Sequence, residues 1–153
     1  MKKNYFLIPL VTVIVAVAWS LLTNTGMARY ATLHLPSRTP SWWFIGMAWT
    51  LIFICTMISA LLFRNKYPLK KNFTLIAWLF IINAILNLLR SFMFFTHHLL
   101  VPALVEMIIL WLVTLVMFIL LCRKAKLAAW LLAPYLVWVI IATTLAWQIV
   151  VLN

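Results

Sequence analysis

The stretch from Leu99 to Cys122 reads LLVPALVEMIILWLVTLVMFILLC, 24 residues with one charged side chain, Glu106. An α-helix of ~20 apolar residues crosses the ~30 Å hydrocarbon core of a bilayer. The run is continuously apolar and does not alternate, so it reads as a membrane-spanning helix and not as a strand of a transmembrane barrel. Its borders agree, with His97 and His98 before it and Arg123, Lys124 and Lys126 after it. The pattern repeats on either side, at Tyr5–Thr23, Trp43–Phe63, Phe73–Phe95 and Leu127–Leu152. The sequence therefore predicts an all-α membrane protein, a single domain over residues 1–153 built as a bundle of five transmembrane helices. The connections are short except the first, Asn24 to Trp42, which holds Gly26, Pro36 and Pro40. Ordered loops of that length tend to carry function.

Composition supports the same reading. Hydrophobic residues make up 68% of the chain and charged residues 8%, against ~25% charged in a soluble domain. That leaves too little polar surface to cover a water-exposed globule. Twelve Lys and Arg stand against one acid, but they sit in short clusters between apolar runs, as headgroup anchors do, and form no basic stripe for nucleic acid. The N-terminus, second loop and fourth loop carry Lys2, Lys3, Arg64, Lys66, Lys70, Lys71, Arg123, Lys124 and Lys126, whereas the opposite side carries only Arg29 and Arg38. By the positive-inside rule the N-terminus faces the cytoplasm and the first loop and C-terminus face outward. The opening Lys2-Lys3 and apolar stretch imitate a secretory signal, but Trp19 sits where a small-residue exit would be, so the segment reads as the first span.

Little conventional chemistry is available. There is no glycine-rich phosphate loop, nucleophile elbow or pair of carboxylates. Neither Cys nor carboxylate joins His34, His97 and His98, so no metal site is expected. Cys55 lies mid-helix and Cys122 at a helix end, too different in depth for a disulfide.

The polar residues inside the spans are more informative. Asn83, Asn87 and Arg90 follow at helical spacing on one face of the third helix. Such groups face a bundle interior or a wet cavity, either as inter-helix hydrogen bonds or as a pocket wall. Arg90 and Glu106 lie at equal distances, roughly 12 Å at ~1.5 Å per residue, on either side of the hairpin turn near His98. Equal depth predicts that they meet as an ion pair, the alternative being that Arg90 snorkels to the outer interface. Pro134 interrupts the last helix, with Tyr135, Trp138 and Ala142 following at helical spacing. Six tryptophans, Trp19, Trp42, Trp43, Trp78, Trp130 and Trp147, fall near helix ends, where indoles favour the interface. Trp49, Trp111 and Trp138 lie deeper, as pocket walls or as packing.

These features resemble the TspO/MBR family, the tryptophan-rich sensory proteins, translocator proteins and peripheral benzodiazepine receptors. The resemblance runs from about Tyr30 to Asn153 and rests on Ile45-Gly46-Met47-Ala48-Trp49, on Asn83 with Asn87, and on Phe92–Phe95. Its most specific piece is Ala129-Trp130-Leu131-Leu132-Ala133-Pro134-Tyr135-Leu136-Val137-Trp138, with Leu152-Asn153 closing the chain. The family implies a pocket beneath a first loop that acts as a lid, binding porphyrins, heme-related tetrapyrroles and benzodiazepine-type drugs. Tyr30 and Pro40 would belong to the lid, Trp49 and Phe53 to the second helix, Asn83, Asn87, Arg90 and Phe94 to the third, and Trp138 and Ala142 to the fifth.

A flat macrocycle would stack on the indoles, and Arg90 or a loop arginine would meet its carboxylates. Trp49 and Trp138 match residues implicated in light-dependent porphyrin degradation, which would be at most a weak side activity of a protein that is not otherwise an enzyme. The resemblance implies no required cofactor, porphyrin as ligand, a homodimer, and the bilayer of a bacterial inner membrane as setting. Departures are visible. The first-loop Lys-Pro-x-Trp pattern reads Leu35-Pro36-Ser37-Arg38, Leu86-Asn87 replaces a Trp-Ser pair, and no basic residue follows Tyr135 as the animal sterol motif requires. Two other functions stay open: a small transporter of porphyrins or amphipathic cations coupled through Glu106, and a structural membrane subunit without a ligand.

Overall fold

A computed structural model describes residues 2–66 and 71–153, with the side chains of residues 2–4, 66 and 71–73 left aside. The expected anchoring by Lys2, Lys3, Lys66, Lys70 and Lys71 therefore lies outside the described side chains. The elements are α1 (Lys2–Thr25), α2 (Met27–Tyr30), α3 (Trp42–Lys66), α4 (Lys71–Ser91), a π-helical turn (Phe92–Thr96), α5 (Leu100–Cys122), α6 (Lys126–Trp130) and α7 (Ala133–Leu152). Among the described residues there is no strand, and five helical segments are long and apolar enough to cross a membrane. Helices are the solution lipid enforces, because each span must satisfy its own backbone polar groups.

Central in the bundle is α5, which packs on α4 and α7, while α1 is the most peripheral span and rests on α3 and α4. Ala103, Leu110, Met117 and Leu121 of α5 are fully enclosed, with Ile76 of α4 and Tyr135 and Val139 of α7. Large apolar side chains such as Ile14, Leu51, Ile85, Ile108 and Val137 stand exposed on every span. In water such a surface would aggregate; here it is the face turned to lipid. The first loop, the α4–α5 turn and the C-terminus gather at one end of the bundle. Thr25 and Thr96 share a hydroxyl hydrogen bond of 3.1 Å there, and the backbone N–H of His34 donates to Asn153 Oδ1 at 3.0 Å.

Two irregularities shape that end and the last span. Span three does not stop as plain α-helix at Phe95 but widens into the π-helical turn, where His97 N–H reaches Phe92 O at 3.1 Å. His98, at φ 57°, then turns the chain into α5. The last span, expected as one helix over 127–152 bent at Pro134, is broken at Leu131–Leu132, before the proline, which falls in the first turn of α7. Proline lacks the N–H that would bond to the Trp130 carbonyl, and its ring crowds that carbonyl, so the α-helix stops and restarts.

Candidate functional site

Beneath the first loop lies a cavity of about 70 Å³. Tyr30 and Pro40 cover it from the loop, Trp42, Ile45 and Trp49 come from α3, Arg90 from α4, and Phe94 and Phe95 from the π-helical turn. Trp138, Ala142 and Ala146 of α7, Met107 of α5 and Trp19 of α1 complete the wall. The roof is a set of touching rings, with Tyr30 5.6 Å from Trp42 and 5.9 Å from Phe95, and Trp42 edge-on to Phe95 at 5.9 Å. Burial pushes the Tyr30 hydroxyl above its ordinary pKa, so it remains a neutral hydrogen-bonding group. At this volume the cavity is smaller than the ~300–1,000 Å³ of drug-sized ligand sites, so a large ligand requires the roof to lift.

Gly26 sets how closely that roof sits. Its place in the chain brings it against the backbone of Phe95, so that a Cβ at position 26 would overlap the Phe95 carbonyl. Asn153 ties the loop down from the other side. Its Oδ1 accepts from His34 N–H at 3.0 Å, and its Nδ2 donates to His34 O at 3.1 Å and to Ile149 O at 2.9 Å. One side-chain amide thus replaces a strand-like pair of backbone bonds. Asn153→Ala is expected to raise the rate of tryptic cleavage after Arg29 and Arg38 at least about fivefold, two hydrogen bonds at ~0.5–1.5 kcal/mol each being lost from the closed form. Limited proteolysis in detergent micelles measures it.

Arg90 is buried at the cavity floor, its guanidinium 4.3 Å from the Trp49 ring centroid, with Nε and Nη2 lacking hydrogen-bond partners. The expected Arg90–Glu106 ion pair is not made. Glu106 is buried in α5 with both oxygens unpartnered, and no salt bridge joins it to Arg90 among the described residues. Equal distance from the hairpin brought them to one depth, but rotation about each helix axis turned the guanidinium onto the indole, where a cation–π contact holds it.

Asn83, Asn87 and Phe53, expected in the same pocket, line a different one. Tyr135 OH donates to Asn83 Oδ1 at 3.1 Å and accepts from Asn87 Nδ2 at 2.5 Å, while Asn83 Nδ2 donates to Thr114 Oγ1 at 2.9 Å. This cluster joins α4, α5 and α7 and forms one end of a second cavity of about 380 Å³ between α1, α3 and α4. Phe53 lines that cavity too, edge-on to Trp19 at 5.9 Å. Asn83 and Asn87 do share a face, but the face is below Trp49 and not above it.

The tryptophans divide differently from their depth in the sequence. Trp43, Trp78, Trp130 and Trp147 are exposed, as interface residues are. Trp19 and Trp42, read as interface anchors, instead line the cavity beneath the loop, and Trp19 is 9% exposed with its ring 5.8 Å from Trp49. Trp111 packs on the core away from that cavity. No sequence signal separates Trp19 from an anchor, since only the packing of α1 on α3 makes it a wall.

Of the ten expected ligand residues, Tyr30, Pro40, Trp49, Arg90, Phe94, Trp138 and Ala142 are brought together. The chain is 32% identical over 154 aligned positions to the tryptophan-rich protein TspO of Bacillus cereus, covering 100% of this chain and 99% of that protein. It is 33% identical over 126 positions to the tryptophan-rich protein TspO of Chlorobaculum tepidum, covering 81% and 78% of the two chains. It is also 30% identical over 127 positions to the uncharacterized membrane protein YtaB of Bacillus subtilis, 81% and 79% covered. The TspO/MBR family model matches residues 7–152. With five apolar spans, an aromatic cavity under the first loop and a match over nearly its whole length, this integral membrane protein belongs to the TspO/MBR family.

Proposed function

We propose that the cavity beneath the first loop binds a flat aromatic ligand bearing an acidic group, of the tetrapyrrole class, and that the protein serves as a membrane sensor or modulator of that ligand. The observation that carries this reading is the set of unpartnered donors in an aromatic wall. Trp19 Nε1, Trp138 Nε1 and Arg90 Nε and Nη2 are buried without acceptors, and all three residues line the cavity. Donors of this kind, one of them cationic, suit a carboxylate, and the indole faces suit a macrocycle. A benzodiazepine-type molecule would use the same aromatic walls. The roof of Tyr30, Pro40 and Trp42 rises to admit the ligand, and the charge asymmetry of the loops turns this side away from the cytoplasm of a bacterial inner membrane. Trp49 and Trp138 would also be the residues to support slow light-dependent porphyrin breakdown, read as loss of porphyrin absorbance under illumination.

Protoporphyrin IX titrated into the purified protein, followed by tryptophan quenching, tests the assignment. Arg90→Gln and Trp138→Phe are each expected to weaken binding about tenfold, the loss of a charge-assisted bond or stacking face being worth ~1.5 kcal/mol. An affinity unchanged by both substitutions removes the cavity from the reading. A transport function is favoured by a separate feature, the two cavities stacked along the bundle with Trp49, Tyr135 and Asn87 between them. Glu106, the one membrane-embedded acid, would then couple transport to protons. Proton-driven porphyrin uptake into vesicles, abolished by Glu106→Gln, distinguishes transport from binding alone.

A further inference from the structure

The second cavity has no part in the proposed tetrapyrrole site. It is a slot in the half of the bundle that carries the N-terminus, walled by Val11 and Val15 of α1, Met57 and Ala60 of α3, and Ala77 and Ala84 of α4. The cluster of Asn83, Asn87 and Tyr135 closes its far end. The donors of that cluster are engaged with one another and with Thr114, so this end of the slot offers an acidic group no free donor. From Ile52 to Arg64 its α3 wall runs ~18 Å at the helical rise, close to the ~15 Å that one leaflet contributes to a ~30 Å core. Length, narrow apolar walls and alanines on two facing helices fit one extended hydrocarbon chain.

Charge defines the other end. Arg64 lines the slot near the end of α3. We propose that this slot holds an acyl chain of an anionic phospholipid from the leaflet on the N-terminal side, its phosphate set against Arg64. A basic residue at a membrane surface attracts anionic headgroups by ~1 kcal/mol, so Arg64 selects the lipid and the walls select its chain. The site stands or falls independently of what binds beneath the first loop.

The test uses the full-length protein in mild detergent, with bound lipid counted by native mass spectrometry. Phosphatidylglycerol and phosphatidylcholine of identical chains are titrated separately. The parent protein is expected to retain one phosphatidylglycerol at least fivefold better than phosphatidylcholine. Ala60→Phe and Ala84→Phe each fill the slot from a different helix and are expected to lower retention at least fivefold. Arg64→Gln is expected to erase the headgroup preference while leaving the slot open, which keeps the test decisive if a filled variant folds poorly. Ile119→Phe, on the exposed face of α5, is expected to bind as the parent does. Equal retention of the two phospholipids by the parent, or full retention in both filled variants, overturns the proposal. So does a preference for a free fatty acid or a long-chain alcohol over phosphatidylglycerol, since the first changes the source and the second puts the polar end at Asn87.

Discussion

Gly26→Val is expected to lower the thermal midpoint of the detergent-solubilised protein by roughly 6–12 °C, corresponding to a loss of ~3 kcal/mol. The glycine is not there for its backbone angles, since its φ of −104° is open to any residue. It is there for space. A Cβ would overlap the Phe95 carbonyl, carbonyl carbon and Cα, and these are backbone atoms that cannot swing aside as a side chain can. Relief requires α1 and the loop to move away from the π-helical turn, which would also part the ring contacts among Tyr30, Trp42 and Phe95. The same substitution should therefore weaken protoporphyrin binding by tenfold or more and speed tryptic cleavage of the first loop. Gly46→Ala supplies the comparison. A Cβ there meets nothing within 4 Å, so stability is expected to hold or to rise by up to ~1 kcal/mol from helix propensity alone. A midpoint for Gly26→Val equal to that of Gly46→Ala would show that the loop does not pack as described.

Asn83→Leu is the second substitution with a large expected effect, a loss of ~1–3 kcal/mol read as a lower unfolding midpoint in detergent. Asn83 is the one side chain of the buried cluster that bonds to two other helices. It donates to Thr114 on α5 and accepts from Tyr135 on α7. Leucine leaves the Tyr135 hydroxyl without its acceptor, in surroundings where no water replaces it. Tyr135→Phe should cost less, ~1 kcal/mol, because Asn87 Nδ2 keeps the Asn83 carbonyl at 2.9 Å as an acceptor. The double substitution should cost less than the sum of the two, since both remove the Tyr135–Asn83 bond. Full additivity would mean that the two side chains do not interact.

How much of this was legible in the chain depends on direction. Position along the membrane normal was readable almost everywhere. Leu99–Cys122 announces a span, Arg90 and Glu106 fall at one depth by count from the turn, and Trp49 and Trp138 fall inside the bundle. Seven expected ligand residues converge for the same reason, because a pocket at a given depth can only draw on residues at that depth. Rotation about each helix axis was not readable. Trp19 looked like an anchor and became a wall, Asn83 and Asn87 turned to the lower cavity, and Arg90 chose Trp49 over Glu106.

The sequence by itself determined the number of spans, the one long loop and a disturbance at Pro134, because lipid imposes a one-dimensional rule: each apolar stretch of sufficient length crosses, and clusters of charge mark its borders. Only the tertiary structure decided which stripe of each helix faces its neighbours. In water an amphipathic pattern supplies that information, but the apolar residues of α7 are spread evenly around its axis, and lipid rewards no face over another. The choice fell to close packing and to a few hydrogen bonds among Asn83, Asn87, Thr114 and Tyr135. Those contacts exist only once the five helices have met.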